Sequence, residues 1–427
     1  MTASIPVSLL LIALWPAAGR CELADIVISH AKVISPPDTV IENATVVIAH
    51  GRITYVGAGK RQIRGRHTID AHGRVVIPGL IDTHVHLNIE PIANRAMYQR
   101  WVVTGSGQLL QKYLRAGFTT IMSLGDYWPG VLQLREKIKE GKISGPRLLV
   151  AGPLITPPYG HAAAFSPQCA KIAFCRQSGW YREIATQAQA RALIDDIASR
   201  GADAVKIANE PTRAPDGKPV GFAPAVLRTL IEDAHRHGLR VYVHPASEAY
   251  AVAAIQAGAD VMAHGPGIEF FTQGEAPTED PLGPLIRIAA ERNIPISTTM
   301  VGPLGQVNAK TANAVRQDAK HLFDAGINLG FGTDSIGSEL NTSQEFAALA
   351  DSGLSPMQIL QVATLNAARE LGLQKEIGTL EVGKRADLVM VAGDPLKAIQ
   401  ALDRIELVIT NGRIALDDCA GSASFND

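Results

Sequence analysis

The stretch VVIPGLIDTHVHL, residues 75–87, decides the fold class. It begins as an apolar strand and ends in two histidines that are separated by one residue. Side chains two apart on a strand point to the same face, so His84 and His86 can hold one ion. Seven further short apolar segments follow, separated by helix-like segments. The eight predicted strands are residues 80–85, 119–124, 147–151, 204–207, 240–243, 261–263, 294–298 and 328–332.

Eight strands that alternate with helices predict a (β/α)8 barrel. The predicted helices include residues 187–199, 224–237, 309–323 and 356–371. A doubly wound sheet is the competing architecture, but no GxGxxG motif follows the first strand, which disfavours it. Residues 152–186 have no clear periodicity and would form the loop after the third strand, long enough to serve as a lid or a pocket wall.

Both ends of the chain contain short β-strands bounded by turn residues. They are predicted at residues 25–29, 45–49, 52–56, 68–70, 75–78, 386–391, 405–410 and 413–416. Asn411-Gly412 between two apolar runs predicts a tight hairpin. The expected fold class is therefore α/β, a (β/α)8 TIM barrel with a small β-sandwich domain formed from both termini. The expected boundaries are 1–19 for a signal peptide, 20–78 and 379–427 for the composite β-sandwich, and 79–378 for the barrel.

Composition excludes several kinds of partner. The 427 residues include 40 Lys+Arg and 41 Asp+Glu, so the chain carries almost no net charge. No nucleic acid and no anionic membrane surface is expected to bind. The aromatic residues are few, with 10 Phe, 4 Trp and 8 Tyr, which argues against platforms for base stacking.

Residues 7–15, VSLLLIALW, are too few to span a bilayer, so no transmembrane span is expected. They match the apolar region of a secretory signal, and the small residues 17–19 suit a cleavage site. The sequence thus predicts export to the periplasm or beyond, with a buried N-terminal strand as the alternative. Cys169 and Cys175 either form a disulfide in that compartment or remain two buried thiols.

Ionisable residues end several of the later predicted strands. Lys206 lies in the fourth, His244 and His264 follow the fifth and sixth, and Asp334 follows the eighth. Active sites of barrels form at the carboxyl ends of strands. Together with His84 and His86, these residues would bring four imidazoles, one lysine and one carboxylate to one mouth, which predicts a metal site.

The same motifs resemble those of the metal-dependent amidohydrolase superfamily, in its imidazolonepropionase-like and prolidase-like branch, which includes secreted dipeptidases. They are residues 75–87, the strand-end histidines, GTDS at 332–335, TLNAARELGL at 364–373 and IGTLEVGKRADLVMVAGDP at 377–395. The resemblance implies that His84, His86 and Asp334 hold one Zn²⁺ or similar divalent metal. It implies that His244 and His264 hold the second, and that Lys206 bridges both as a carbamate formed with CO2.

The activity implied by the resemblance is hydrolysis of an amide bond in a dipeptide or an N-acyl amino acid. A metal-bridging hydroxide would attack the carbonyl, and Asp334 would act as general base and then as general acid. Alternatives on the same site are a lactonase, a phosphotriesterase, or a mononuclear cyclic-amide hydrolase in which Lys206 is a structural lysine. A non-catalytic scaffold would lack ligands, yet all six positions are filled. Deaminase-like members need Glu three residues after His244, where this chain has Ser247, with Glu248 one further on.

Three residues are candidates for contact with a small-molecule or dipeptide substrate. Tyr159 and His161 fall in the loop 152–186, with a plain surface loop as the alternative. Tyr242 lies two residues before His244 and faces the same interior, with core packing as its alternative role. A homo-oligomer is left open.

Overall fold

The computed structural model describes residues 23–59, 63–90, 92–209, 212–213, 216–217, 219–245, 247–265, 282–305 and 309–418. The expected signal peptide lies outside these residues. Within them, every helix is too short or too polar to cross a membrane.

The strands are numbered along the chain. They are β1 (Ala24–Ser35), β2 (Thr39–Ala49), β3 (Arg52–Ala58), β4 (Gly65–Asp70), β5 (Val75–Pro78), β6 (Leu80–His86), β7 (Phe118–Ser123), β8 (Arg147–Val150), β9 (Leu154–Thr156), β10 (Tyr181–Glu183), β11 (Ala204–Asn209), β12 (Thr212–Arg213), β13 (Pro219–Val220), β14 (Arg240–Pro245), β15 (Val261–Met262), β16 (Ile296–Ser297), β17 (Leu329–Gly330), β18 (Ser335–Ile336), β19 (Leu388–Val391), β20 (Ile405–Thr410) and β21 (Arg413–Asp417).

The helices are numbered in the same way. They are α1 (Arg95–Thr104), α2 (Ser106–Arg115), α3 (Gly130–Lys139), α4 (His161–Phe165), α5 (Pro167–Lys171), α6 (Ala173–Ser178), α7 (Gln187–Ser199), α8 (Pro224–Arg236), α9 (Glu248–Gln256), α10 (Gly283–Arg292), α11 (Val301–Leu304), α12 (Ala309–Asp324), α13 (Thr342–Asp351), α14 (Pro356–Gln361) and α15 (Ala367–Glu370). A π-helical turn, Val362–Asn366, separates α14 from α15, and a 3-10 helix spans Ile399–Asp403.

Strands from the two ends of the chain pair in one sheet, in the order β21-β20-β19-β5-β1-β2-β3, with β4 beside β1. The short strand β5 joins the two ends, because Val76 pairs with Val33 of β1 and with Met390 of β19. The predicted hairpin turn is present, since Asn411 and Gly412 both have positive φ. The joining of both ends follows the prediction, whereas the sandwich arrangement and the domain boundaries stay predictions.

The central part of the chain is an α/β fold with parallel sheets, as the alternation of segments predicts. One sheet has the order β10-β9-β11-β14-β15-β16-β17, and the other has the order β18-β6-β7-β8. Two backbone contacts link these sheets. Ala151, after β8, forms a parallel bridge with Ala204 of β11, and the Thr83 N–H of β6 donates to the Phe331 carbonyl at 2.8 Å.

Local sequence explains the regularity of these elements. Every residue of β6 is buried, as expected for a strand covered on both faces. Helix α7 begins at a capping box in which the Thr186 side chain and the Gln189 side chain satisfy each other's backbone N–H groups. Its apolar face, Ala190, Ile194 and Ile197, is buried in the main core.

The stretch 152–186 is more regular than its sequence suggests. It contains β9, β10 and the three short helices α4, α5 and α6. β9 extends the central sheet, since Ile155 pairs with Ile207, and Cys169 and Cys175 form a disulfide. Each element is shorter than seven residues, too short for a periodic pattern, so distant contacts specify it.

Candidate metal centre

Two histidines at the end of β6 point their Nε2 atoms at one carboxylate. The Nε2 atoms of His84 and His86 lie 3.2 and 3.3 Å from Asp334 Oδ1. Their Nδ1 atoms lie 2.9 Å from the Ala263 carbonyl and 2.8 Å from the Gly125 carbonyl. A carbonyl only accepts, so Nδ1 carries a proton in both rings, and Nε2 is the nitrogen that is left to bind a metal.

A second pair of imidazoles lies beside the first. The ring centroids of His84 and His264 are 4.7 Å apart, and those of His264 and His244 are 4.4 Å apart. Donor atoms of His84, His264 and Asp334 all lie within 4.8 Å of one another. A hydrogen bond of 2.9 Å between His264 Nδ1 and the Thr299 hydroxyl orients that ring. This donor set, imidazole nitrogens with a carboxylate oxygen, is one that Zn²⁺ and similar divalent ions prefer.

Lys206 lies inside this cluster. Its Nζ is 3.4 Å from His84 Nε2, and the residue is 2% exposed. Burial lowers the pKa of Lys206 to about 7. The charges of Asp334 and Glu370 act against this lowering, and among the described residues no carboxylate lies within ion-pair distance of the Lys206 ammonium.

Electrostatics favour the ligand forms of His84 and Asp334, whereas in the metal-free site the pKa of His86 is raised, because the hydrogen bond and charge of Asp334 outweigh the lowering effect of burial. Burial, followed by the charge of Lys206, lowers the pKa of His84 well below its ordinary value, so this imidazole is neutral. Burial alone would raise the pKa of Asp334, but His84 and the hydrogen bond from His86 hold it well below its usual range. Neutral imidazole and ionised carboxylate are the forms that bind a metal.

Buried carboxylates that sequence reasoning missed hold the strand ends in place. Asp82 accepts hydrogen bonds from the Thr333 hydroxyl at 2.7 Å and from the His84 N–H at 3.1 Å. It thereby ties the end of β6 to the segment that carries Asp334. Burial raises the pKa of Asp82 to about 8, although these hydrogen bonds by themselves lower it. Asp82 lies inside the motif 75–87, and this position is the sequence feature that could have identified it as part of the site.

Asp126, which follows β7, holds the residues just after β6 in place. It accepts from the N–H groups of Leu87 at 3.1 Å and Asn88 at 2.6 Å, and from the Ser123 hydroxyl. Glu370 lies in the interior and accepts from the Ser297 hydroxyl at 2.7 Å. Residue type alone does not reveal such burial.

A cavity of about 340 Å³ opens over the cluster. Its walls are formed by His84, His86, Ile89, Leu154, His161, Trp180, Lys206, His244, His264, Val301, Gly302, Thr333, Asp334, Ile336, Glu339 and Asn341. The structure therefore brings all six predicted ligands and His161 to one place. The His161 ring lies 4.4 Å from that of His244, centroid to centroid. Trp180, Glu339 and Asn341 are wall residues that sequence reasoning did not identify.

The other two candidate substrate contacts lie elsewhere. Tyr159 is 52% exposed, and its N–H donates to Glu183. Tyr242 is 1% exposed, and its hydroxyl donates to the Glu370 carbonyl at 3.2 Å, which matches the core role that was its alternative. Neither is among the described residues that form the cavity wall.

Comparison with known proteins places the chain in a family. The 5'-deoxyadenosine deaminase of Methanosarcina acetivorans is 25% identical over 86% of this chain and 84% of that enzyme. The ochratoxinase of Aspergillus niger is 24% identical over 90% of this chain and 85% of that enzyme. The solved structure of a Xaa-Pro dipeptidase with bound methionine in the active site has a TM-score of 0.75 at 23% identity, covering 91% and 99% of the two chains. A model of the amidohydrolase family matches residues 75–415. The chain therefore belongs to the amidohydrolase family, as the motifs predict, and it is a hydrolase that acts on carbon–nitrogen bonds.

Proposed function

We propose that this protein is a binuclear metal-dependent amidohydrolase that cleaves an amide bond in a dipeptide or an N-acyl amino acid. The observation that carries the proposal is the convergence of six side chains on one cavity. They are His84, His86, Lys206, His244, His264 and Asp334.

The donor set fits two divalent ions such as Zn²⁺, with His84, His86 and Asp334 on one side and His244 and His264 on the other. When bound, the ions polarise the scissile carbonyl and lower the pKa of a water that attacks it. The amine of Lys206, with its lowered pKa, adds to CO2 and releases a proton, which gives a carbamate anion between the two ligand groups.

Asp334 is the group placed to move protons. Its Oδ1 lies beside the Nε2 atoms of His84 and His86 and faces the cavity. In the proposed reaction it accepts the proton of the attacking water and gives it to the leaving nitrogen.

We also propose that the two parallel sheets close into a (β/α)8 barrel within residues 79–378. The bridge between Ala151 and Ala204 and the hydrogen bond from Thr83 to Phe331 support the closure. Export through residues 1–19 is supported by the apolar segment there. The disulfide between Cys169 and Cys175 supports it too, since such bonds persist in oxidising compartments.

A deaminase is the second candidate function, because one of the similar proteins is a 5'-deoxyadenosine deaminase. Glu248 is the acid nearest in sequence to the one that deaminase-like members place after the fifth strand. Its carboxylate accepts a hydrogen bond from the Leu285 N–H at 3.1 Å, at the start of α10. This engagement with α10 favours amide hydrolysis over deamination.

Metal content and a substrate panel test the proposal. Protein produced without chelator is expected to hold about two divalent metal ions per chain. Dipeptides and N-acyl amino acids assayed with Zn²⁺ and bicarbonate are expected to be cleaved faster than lactones, phosphotriesters or adenosine analogues. About one metal per chain would favour a mononuclear site, and turnover confined to esters or nucleosides would refute the amide assignment.

The variant Lys206→Ala tests the carbamate. It is expected to lose activity, and added short carboxylates such as acetate or propionate are expected to restore part of it by occupying the same space. Unchanged activity in the variant would remove the bridge from the proposed reaction. Lys139→Ala is the control, since its exposed ammonium pairs with Glu136 of the same helix, α3, and neither residue lines the cavity.

A further inference from the structure

One wall of the cavity carries the carboxylate side chain of Glu339. Glu339 lies five residues after Asp334, in the segment that follows β18, and it forms part of the cavity wall. The residue is exposed, and its N–H donates to the Ile336 carbonyl at 3.3 Å, which fixes the turn. Within the described residues, no Lys, Arg or His side chain forms an ion pair with its carboxylate.

A different wall is apolar and firmly supported. Trp180, Leu154 and Ile89 form part of the cavity and belong to the same buried cluster as the disulfide cysteines. The Trp180 carbonyl accepts from the Leu154 N–H at 2.8 Å, and its ring stands edge-on to His86 at 6.3 Å. The cavity therefore offers an apolar surface and a separate carboxylate, and both line the same cavity as the proposed metal ligands.

The combination of an apolar wall and a carboxylate favours some amide substrates over others. An ammonium group close to two divalent cations is repelled, and a carboxylate facing it offsets that repulsion. An N-acyl group carries no charge, so it gains nothing from Glu339 and leaves the carboxylate facing an apolar substituent. A charge-assisted hydrogen bond is about twice as strong as a neutral one. Glu339 therefore favours binding of a dipeptide with a free ammonium over binding of an N-acyl amino acid.

We propose that the preferred substrate is a dipeptide with a free N-terminal ammonium, which Glu339 binds, and with an apolar side chain that packs on the Trp180 wall. Glu339 is thus a specificity-determining residue. The inference rests on the proposed amide hydrolysis, and it chooses the dipeptide over the N-acyl amino acid.

The test uses the metal-loaded enzyme and matched substrates, each an apolar dipeptide with a free or an acetylated N-terminus. The wild type is expected to have the higher kcat/KM for the free form. Glu339→Gln is expected to lower kcat/KM for the free form about 10-fold and to leave the acetylated form within about twofold. Glu339→Lys is expected to reverse the preference. Glu291→Gln, an exposed residue of α10, is the control and is expected to change neither value.

The outcomes separate the two proposals. If Glu339→Gln changes kcat/KM equally for both forms, or for neither, the role of Glu339 is refuted while amide hydrolysis stands. If the wild type prefers the acetylated form, the choice of the dipeptide is refuted. If the metal-loaded wild type cleaves neither form of any pair, the proposed function itself fails.

Discussion

The hydrogen bond between His264 and Thr299 can be removed by a substitution that hardly changes the shape of the Thr299 side chain. Thr299→Val replaces the hydroxyl by a methyl group and keeps the β-branch at a residue whose φ is 43°. His264 is 6% exposed and Thr299 is 1% exposed, so bulk water does not replace the lost oxygen. The variant therefore leaves His264 Nδ1 without its hydrogen-bond partner.

The size of the effect follows from this burial. A buried polar group left without a hydrogen-bond partner costs about 1–3 kcal/mol. Loss of a group that orients a metal ligand lowers metal affinity about 10–100-fold. We expect the metal on the His264 side to bind at least about 10-fold more weakly, because the hydrogen bond that orients the ring is lost.

Competition with a chelator, followed by metal analysis, measures this affinity in the variant and in the wild type. Thr229→Val is the matched control. Its hydroxyl is also buried and hydrogen-bonded, to the Ala225 carbonyl at 2.8 Å, but it lies on the outer helix α8. Equal metal affinity in the wild type and in Thr299→Val would refute the assignment of His264 as a ligand oriented by Thr299.

Three further changes have expected outcomes. Burial raises the pKa of Glu370 from 4.5 to about 7, so its folded form binds the proton more tightly than its unfolded form. The metal-free protein should lose up to about 3 kcal/mol of stability from this group as the pH rises from about 4.5 to 7, and Glu370→Gln should abolish that loss in urea unfolding at several pH values. The double variant Cys169→Ser/Cys175→Ser should raise KM for substrates with large apolar groups, because the support of Trp180 is weakened; an unchanged metal content with an unchanged KM would contradict this. Phe331→Ala should cost about 3–5 kcal/mol in unfolding experiments, because the ring is fully buried against other aromatic rings.

Strand positions were accessible from the sequence because buried parallel strands are continuous apolar runs. Each of the eight predicted segments overlaps a strand of the central sheets. The predicted helix 187–199 coincides with α7, whose start is marked by the capping box of Thr186 and Gln189. The helix predicted at 356–371 contains the π-helical turn Val362–Asn366 instead of running unbroken. Apolar spacing does not distinguish that turn from an α-helix.

The set of metal ligands could also be predicted from the sequence, for a related reason. Side chains at the carboxyl ends of parallel strands meet at one mouth, so His244 and Asp334 are brought together although their positions in the chain are 90 apart. Contacts that depend on burial or on irregular segments were not accessible. The strand β10 pairs with β9 across the disulfide-bonded helices, and Glu339 reaches the cavity from a turn that has no periodic pattern.

The position of β5 between β1 and β19 also determines when the terminal sheet can be completed. About 310 residues separate Pro78 from Leu388, so at 5–20 residues per second the ribosome needs about 15–60 s to deliver the partner of β5. During that interval the edge of β5 has exposed N–H and C=O groups and can pair with strands of other nascent chains. A chain that stalls before Leu388 therefore cannot complete the terminal sheet. Its N-terminal strands then remain exposed to aggregation or to proteolysis.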